Sequence, residues 1–373
     1  MLKVAFIINK MGVGGAERVV QILSNHITKN GGMVVIYVLD DEELVYPLSE
    51  GVELIGLRGN SFFSRIKLFN LIMASFFLTK RLKNQQPDIA ISFLVRANIV
   101  HVISKLFNNR SNVVVSERSV PSKIYPSRRI FDVLMNYLIK KFYQRAEKII
   151  AISEAVKRDL VINYGLSIDK VQVIYNPIEE SQKIDEGKVF AFSSNFSEGG
   201  PFIVTSSRIV PLKDHKTLLD SFRLIREKIA CKLVIIGDGE EKKNLLNYAN
   251  EIGLNDHIIW TGWVVNPMEI YAKCDIFVLT SIVEGFGNVI VEAMQCGLPI
   301  VSTDCGGPRE ILDNGRFGKL IPVGDVAALS KQVISMLLNE DIMSYYAKKS
   351  RERTEFFAVD HISKEYLNIN SIK

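Results

Sequence analysis

Two glutamates, Glu284 and Glu292, stand with seven residues between them in Ser281-Ile-Val-Glu-Gly-Phe-Gly-Asn-Val-Ile-Val-Glu-Ala-Met-Gln-Cys-Gly297. If a helix begins near Asn288, the backbone N–H groups of Gly287, Asn288 and Val289 open its first turn, and the helix dipole favours an anion there. Glu292 lies one turn further in, on the same face as Asn288. Glu284 precedes the helix across Gly285-Phe286-Gly287, a turn that lets a ligand approach the backbone closely. A phosphate on the helix start, one carboxylate beside it and one ahead of it suit a nucleotide-activated ligand. An ordinary strand-to-helix turn with a solvated glutamate is the other reading of this stretch taken alone.

Cations stand elsewhere in the same half. Thr205-Ser-Ser-Arg-Ile-Val-Pro-Leu-Lys-Asp-His215 places Arg208 and Lys213 on one loop, ahead of a helix that Asp214 can cap. An arginine and a lysine converging on one cleft neutralise a diphosphate leaving group without a metal. No Asp-x-Asp pair competes with that reading. Asp238-Gly239-Glu240 occupies a turn of its own and Asp40-Asp41-Glu42 a strand end, so metal-free chemistry is expected. Near the N-terminus, Gly12-Val-Gly14-Gly15-Ala-Glu17 follows one strand and precedes one helix, as a dinucleotide loop would. Glu17 replaces the third fingerprint glycine, and Asp40 stands further on than the roughly 20 residues a ribose-binding acid requires. The loop also lacks the Gly-Lys-Ser/Thr of a P-loop. It reads as backbone pressed toward a ligand, or as a plain tight turn.

These residues need elements that hold them. Strands are predicted at 3–9, 33–40, 52–56, 88–92, 112–116, 148–152 and 171–175, with helices between. Asn176-Pro177 is a turn signal. Residues 178–200 are polar and read as a linker. The pattern then restarts, with strands at 202–206, 232–237, 257–261, 275–280, 299–303 and 318–322, and helix from about Val326 to the end. Two successive βα repeats predict an α/β protein of two doubly wound Rossmann-like domains facing a cleft. The expected boundaries are 1–177, a linker at 178–200, 201–355, and a C-terminal helix at 356–373 packing back on the first domain.

The chain's 373 residues suit two domains of ordinary size, and 47% hydrophobic with 23% charged residues is a globular balance. Four scattered cysteines without a C-x-x-C pair, and five histidines without H-x-x-x-H spacing, exclude a disulfide framework and a zinc site. The start, Leu2–Asn9, is too short for a signal-peptide core, and the apolar run Leu68–Thr79 is too short to span a bilayer. The net charge of +5 is unevenly placed. Arg65, Lys67, Lys80, Arg81 and Lys83 flank that run with no acid among them. Arg118, Lys123, Arg128, Arg129, Lys140, Lys141, Arg145 and Lys148 stand against only Asp132 and Glu147. Two basic amphipathic helices fit an anionic membrane surface or a lipid diphosphate, or are two solvated helix faces. No nucleic-acid-binding motif accompanies the charge.

Taken together, Gly14-Gly15-Ala16-Glu17-Arg18, Arg208 with Lys213, Gly237-Asp238-Gly239-Glu240, Thr261-Gly262-Trp263 and the Glu284/Glu292 pair resemble a family 4 glycosyltransferase of the GT-B fold, nearly end to end. The resemblance implies retaining, metal-independent transfer of a sugar from a nucleoside diphosphate sugar, by a front-face mechanism in which the departing phosphate takes the acceptor proton. It implies that Glu292 holds the donor ribose and that Arg208 and Lys213 bind the diphosphate, with Gly14, Gly15, Asn288 and Val289. Glu284 with the backbone of Gly285, Phe286 and Gly287 would hold the sugar hydroxyls. Gly262, Trp263 and Val264 would line the base, with Gly237 and Asp238 nearby. Arg208, Lys213 and Glu284 would form the catalytic set.

One departure is visible. Where many members carry a histidine, Val113-Val-Val-Ser-Glu-Arg-Ser119 offers Glu117 and Arg118, either of which could face the acceptor, Arg118 on a lipid diphosphate. The resemblance extends to bacterial enzymes that build O-antigen, capsule or protein-linked glycans on undecaprenyl diphosphate. It implies a UDP-sugar donor, no cofactor, a lipid-linked glycan acceptor, and a monomer, cytoplasmic and peripheral on the inner membrane face. A UDP-sugar epimerase, a non-catalytic GT-B scaffold and a nicotinamide dehydrogenase are the alternatives. The last lacks its glycine fingerprint.

Overall fold

The computed structural model describes residues 1–40, 44–57, 67–109, 111–179 and 200–369, and only the backbone of 67–69. Asp41, Glu42, Arg65, the Lys67 side chain and most of the expected linker lie outside the described residues. The chain divides into two compact units, Met1–Glu179 with Ala358–Lys373, and Glu180–Phe357.

The first unit opens with β1 (Lys3–Ile8), α1 (Gly15–Lys29), β2 (Met33–Val38), β3 (Val52–Gly56) and α2 (Lys67–Gln85). It continues through β4 (Ile89–Phe93), α3 (Val95–Ser104), β5 (Val113–Glu117), α4 (Pro121–Ile124) and α5 (Ile130–Tyr143). β6 (Lys148–Ala151), α6 (Glu154–Tyr164) and β7 (Val171–Val173) follow. The second unit begins with β8 (Phe202–Ser206), α7 (His215–Arg226), β9 (Lys232–Ile236), α8 (Lys242–Glu251), β10 (Ile258–Gly262) and α9 (Met268–Tyr271). Next come β11 (Ile276–Leu279), α10 (Asn288–Gln295), β12 (Ile300–Thr303), α11 (Gly307–Ile311) and β13 (Lys319–Ile321). α12 (Val326–Leu337) and α13 (Glu340–Thr354) complete it, and α14 (Val359–Leu367) returns to the first unit.

Both sheets are parallel, ordered β3-β2-β1-β4-β5-β6-β7 and β10-β9-β8-β11-β12-β13. Each order reverses once, between β1 and β4 and between β8 and β11. The carboxyl ends of strands at such a reversal are where open α/β sheets hold ligands. The apolar runs follow from burial on both faces. Along β1, Val4, Phe6 and Ile8 pack with Val19, Val20, Leu23 and Ile27 of α1 and Ile362 and Tyr366 of α14. Ala5 and Ile7 point oppositely, toward Leu78 and Leu82 of α2 and Ala97 and Val100 of α3. In the second unit, Ile203, Leu233 and Ile235 pack against Leu218, Phe222 and Ile225 of α7 and Leu329 and Val333 of α12.

The run of helix expected from Val326 is three helices. Asn339 Oδ1 accepts from Ile342 N at 3.0 Å, which starts α13 afresh, and Ala358, in extended conformation, starts α14. α14 is held by Tyr366, whose ring stacks on Phe93 at 6.2 Å between centroids.

The two basic helices differ. α2 packs Leu71, Ala74, Phe77, Leu78 and Leu82 on the sheet, as an ordinary amphipathic helix does. α5 buries Ile139 and Tyr143 but leaves Ile130 at 91% and Phe131 at 60% exposure, with Val133, Leu134 and Tyr137 also exposed. Lys123, Arg128, Arg129, Lys140, Lys141 and Arg145 around them are exposed as well. Among the described residues, no helix is long and apolar enough to cross a membrane.

Candidate active site

The reversal between β8 and β11 gathers the predicted chemistry of the second unit. The loop after β8 carries Arg208 and Lys213, and the loop after β11 carries Glu284. Lys213 Nζ forms an ion pair with Glu284 Oε1, the two side chains only 17% and 13% exposed. Ser281 Oγ donates to the same oxygen at 2.8 Å. The loops are also tied through their backbones. Thr280 Oγ1 donates to Lys213 O at 3.0 Å and Ile282 N to Leu212 O at 2.9 Å. Behind them, Thr303 Oγ1 donates to Ser281 O at 2.6 Å. Arg208 is exposed and joins no ion pair among the described residues.

The glycines between these loops are explained by close backbone approach. Gly237 has φ +143°, and a Cβ there would stand 2.0 Å from Ser207 O. A Cβ on Gly239 would stand 2.2 Å from Ile209 O. Ile209 N donates to Asp238 O at 2.9 Å and Glu241 N returns to Ile209 O at 3.1 Å. The Gly237-Asp238-Gly239 turn is thus laid on the Arg208 loop, a contact that side chains would prevent. Asp238 itself is exposed and pairs with Lys242 at 2.9 Å, which with the Gly239 N–H holds its carboxyl below the ordinary range. Gly237 N donates to Gly262 O at 2.8 Å, bringing the end of β10 beside this turn. Trp263 next to it is exposed and Val264 half-buried.

α10 begins at Asn288, with Gly287 at φ 110° as its N-cap and no acid in its first turn. Asn288 and Glu292 share one face at i and i+4, and both are half-buried. The part expected of Phe286 is a backbone one, and its side chain is turned away. It is 2% exposed and stands edge-on to Phe357 at 5.5 Å, so only its backbone can meet a ligand. Gly307 is the reason its turn fits, since a Cβ there would stand 2.3 Å from Phe286 O. Glu284 N and O are bonded to Cys305 O and Gly307 N, both at 3.3 Å.

The remaining expected residues belong to the first unit. Gly14 and Gly15 open α1, and Glu17 is buried with its carboxylate folded over Gly14. Glu117 faces inward, contrary to an acceptor-facing position. It is 1% exposed, and Oε1 accepts from Arg118 N, Ser119 N and Ser119 Oγ at 2.9, 3.1 and 2.8 Å. Its Oε2 accepts from Tyr143 OH at 2.7 Å. Burial raises its pKa above the usual carboxylate range. Arg118 spans its own unit, donating to Tyr366 OH at 3.1 Å and to Asn176 Oδ1, with its guanidinium 5.5 Å from the Phe93 ring centre.

Sequence reasoning missed the hydroxyls Ser281, Thr280 and Thr303. The available signal was Ser281 three residues before Glu284, close enough to turn back on its carboxylate. Among the described residues, no group of three His, Cys, Asp or Glu is arranged to hold a metal ion.

Two family descriptions divide the chain, Glycosyltransferase Family 4 over residues 13–182 and Glycosyl transferases group 1 over residues 188–353. The N-acetylgalactosamine-N,N'-diacetylbacillosaminyl-diphospho-undecaprenol 4-alpha-N-acetylgalactosaminyltransferase of Campylobacter jejuni is 27% identical over 369 residues, 98% of this chain and 99% of that one. The lipopolysaccharide 1,6-galactosyltransferase of Escherichia coli K12 is 30% identical over 283 residues, 73% of this chain and 72% of that one. The crystal structure of Anabaena HepE with UDP and glucose is similar at a TM-score of 0.79, covering 100% of both chains at 21% identity. With both halves matched in order and the two reversed-order parallel sheets in place, the chain belongs to family 4 of the glycosyltransferases and carries their GT-B fold.

Proposed function

We propose that this glycosyltransferase moves a hexose or N-acetylhexosamine from a UDP-sugar to a polyprenyl-diphosphate-linked glycan, with retention and without a metal, during assembly of a surface polysaccharide. The observation that carries the donor half is the pairing of Lys213 with Glu284 at the β8/β11 reversal, beside exposed Arg208. Arg208 and Lys213 take the diphosphate, at the start of α10. Glu292 holds the ribose, and Glu284 with the backbone of 285–287 holds the sugar hydroxyls. Gly262, Trp263 and Val264 line the base. As the sugar–phosphate bond breaks, charge grows on the leaving diphosphate. Cations already in place stabilise that charge more than the ground state. The departing phosphate oxygen then takes the acceptor proton, so no protein base is required.

The acceptor half rests on end-to-end likeness to the Campylobacter enzyme, whose name specifies a diphospho-undecaprenol acceptor. A peripheral position on the inner membrane face follows from that acceptor, and α5 is the surface suited to it. Its exposed Ile130, Phe131 and Leu134 can enter the acyl boundary while the surrounding lysines and arginines meet anionic headgroups.

The test is a panel of nucleotide sugars offered with a polyprenyl-diphosphate-linked disaccharide, with products resolved by mass and anomeric configuration. UDP stabilises the protein and one UDP-sugar extends the acceptor with retained configuration. Stabilisation by NADH rather than UDP, or conversion of the UDP-sugar without extension of the acceptor, would overturn the reading.

A further inference from the structure

The loop that carries both cations is closed by a contact with no part in the chemistry above. It runs from Ser207 to Asp214, between β8 and α7. Ser207 Oγ stands 3.1 Å from Nε2 of His215, the first residue of α7. His215 is 5% exposed. Asp214 just before it lies in the left-handed region at φ 46°, and its carboxylate accepts from Thr217 N. The chain therefore turns sharply at Asp214, and the ring crosses the loop's base.

Each side of the loop is moored to a different strand end. Ser207 N donates to Ile236 O at 3.0 Å, on the β9 side. Leu212 and Lys213 are held by Ile282 N and Thr280 Oγ1, on the β11 side. The Ser207–His215 hydrogen bond joins the two sides. Arg208 is next to one of its members, and Lys213 is two residues before the other. A change in the span between Ser207 and His215 thus changes the spacing of the two cations.

We propose that His215 is a positioning residue for the donor diphosphate, its bond to Ser207 setting the distance between Arg208 and Lys213 so that both reach one ligand. This rests on the reading that those two cations take the diphosphate. The imidazole is neutral at ordinary pH, because burial, followed by nearby Lys213, pushes its pKa down to about 4. It can therefore share one proton with the serine hydroxyl without adding a third positive charge to the loop.

The experiment titrates the full chain with UDP and, by ligand-observed NMR, with uridine, comparing wild type, Ser207→Ala, His215→Phe, the double variant, His215→Asn and Arg208→Ala. Loss of positioning worth up to one hydrogen bond corresponds to roughly 2–13-fold weaker binding. Both single variants should weaken UDP by that much, and the double variant by no more than either. Uridine binding should stay unchanged, and His215→Asn should recover part of the UDP affinity. Wild-type UDP affinity in folded Ser207→Ala, additive losses in the double variant, or a parallel loss of uridine would each refute the positioning role. Should His215→Phe fail to fold, Ser207→Ala decides, since it removes one hydroxyl from a half-buried site. If Arg208→Ala binds UDP like wild type, the diphosphate reading beneath the proposal fails first.

Discussion

Replacing Glu284 by alanine should separate nucleotide binding from transfer. Glu284 holds Lys213 in an ion pair, and a cation engaged by a carboxylate must be released before it can grip a phosphate. The pair is mostly buried, at 17% and 13% exposure, and Ser281 Oγ adds a bond at 2.8 Å. A hydrogen bond between charged groups contributes on the order of 1.5–3 kcal/mol, and leaving a buried partner unsatisfied costs about 1–3 kcal/mol. Folding stability of Glu284→Ala should therefore fall by about 1–3 kcal/mol. The loop should keep its course, because Glu284 holds Cys305 and Gly307 through its backbone. UDP, with Lys213 no longer engaged, should bind between equally well and about tenfold tighter, a span of 1.4 kcal/mol. Transfer should fall by about 10³-fold or more as the sugar loses its carboxylate and the loop its poise. Titration calorimetry with UDP, urea unfolding and a transfer assay on one preparation supply the three numbers. If UDP affinity falls in step with transfer, Glu284 is not a sugar-side residue and the ion pair is not a competitor of the phosphate. Glu292→Ala is the contrasting variant, expected to weaken UDP itself.

Gly237→Ala should destabilise the protein by roughly 2 kcal/mol more than Gly253→Ala, since both force positive φ but only Gly237 meets a carbonyl, at 2.0 Å; equal unfolding midpoints would remove the steric account. Glu117→Ala should cost about 2–4 kcal/mol by orphaning Tyr143 and Ser119, and lower transfer equally on lipid-linked and soluble acceptors. A loss confined to the lipid-linked acceptor would return Glu117 to the site. His101 is fully buried and held near pKa 3 by burial, with Lys105 adding to the shift. Its folded value lies below its unfolded one, so its contribution is whole above about pH 6.5 and drains as pH falls toward 3, at up to about 1.4 kcal/mol per pH unit. A His101→Asn variant should lose that part of the slope between pH 6.5 and 5, and superimposable slopes would contradict it. Phe131→Ser with Leu134→Ser should release the protein from vesicles rich in anionic lipid while leaving UDP affinity intact; undiminished vesicle binding would remove α5 as the docking face.

The strand pattern was legible because parallel strands buried on both faces leave unbroken apolar runs, as in Val113-Val-Val and Leu233-Val-Ile-Ile. Glycine turns and the Asp214 cap follow from local chemistry, which a sequence carries in full. What a sequence does not carry is which way a side chain turns on a given loop. Phe286 was expected to offer a ligand its backbone, and where its ring would go was not legible; it packs on Phe357, since an aromatic ring gains more from that packing than from solvent. Glu117 was placed at a strand end, where exposure is common, but Tyr143, 26 residues on, meets its carboxylate from α5 and joins neighbouring Ser119 in drawing it inward. The difference between α2 and α5 was also hidden. Both are basic and apolar, and only the packing decides that α5 leaves five large apolar residues outside where α2 leaves Ile72 and Phe76.

The two sheet reversals differ in how well their helix starts favour negative charge. Both are followed by a helix start, and a helix start attracts negative charge. At β1, α1 carries Glu17 in its own first turn, buried and folded over Gly14, so a carboxylate of the chain already lies in that helix's field. A phosphate arriving at that turn meets a like charge. At β11, α10 has no acid in its first turn, and Gly287 caps it without a side chain. The nearest acid upstream, Glu284, is neutralised by Lys213, and Arg208 stands on the loop tied to it. The two helix starts therefore offer an anion different fields, since α1 places Glu17 in its first turn while α10 places its own glutamate, Glu292, a turn further on.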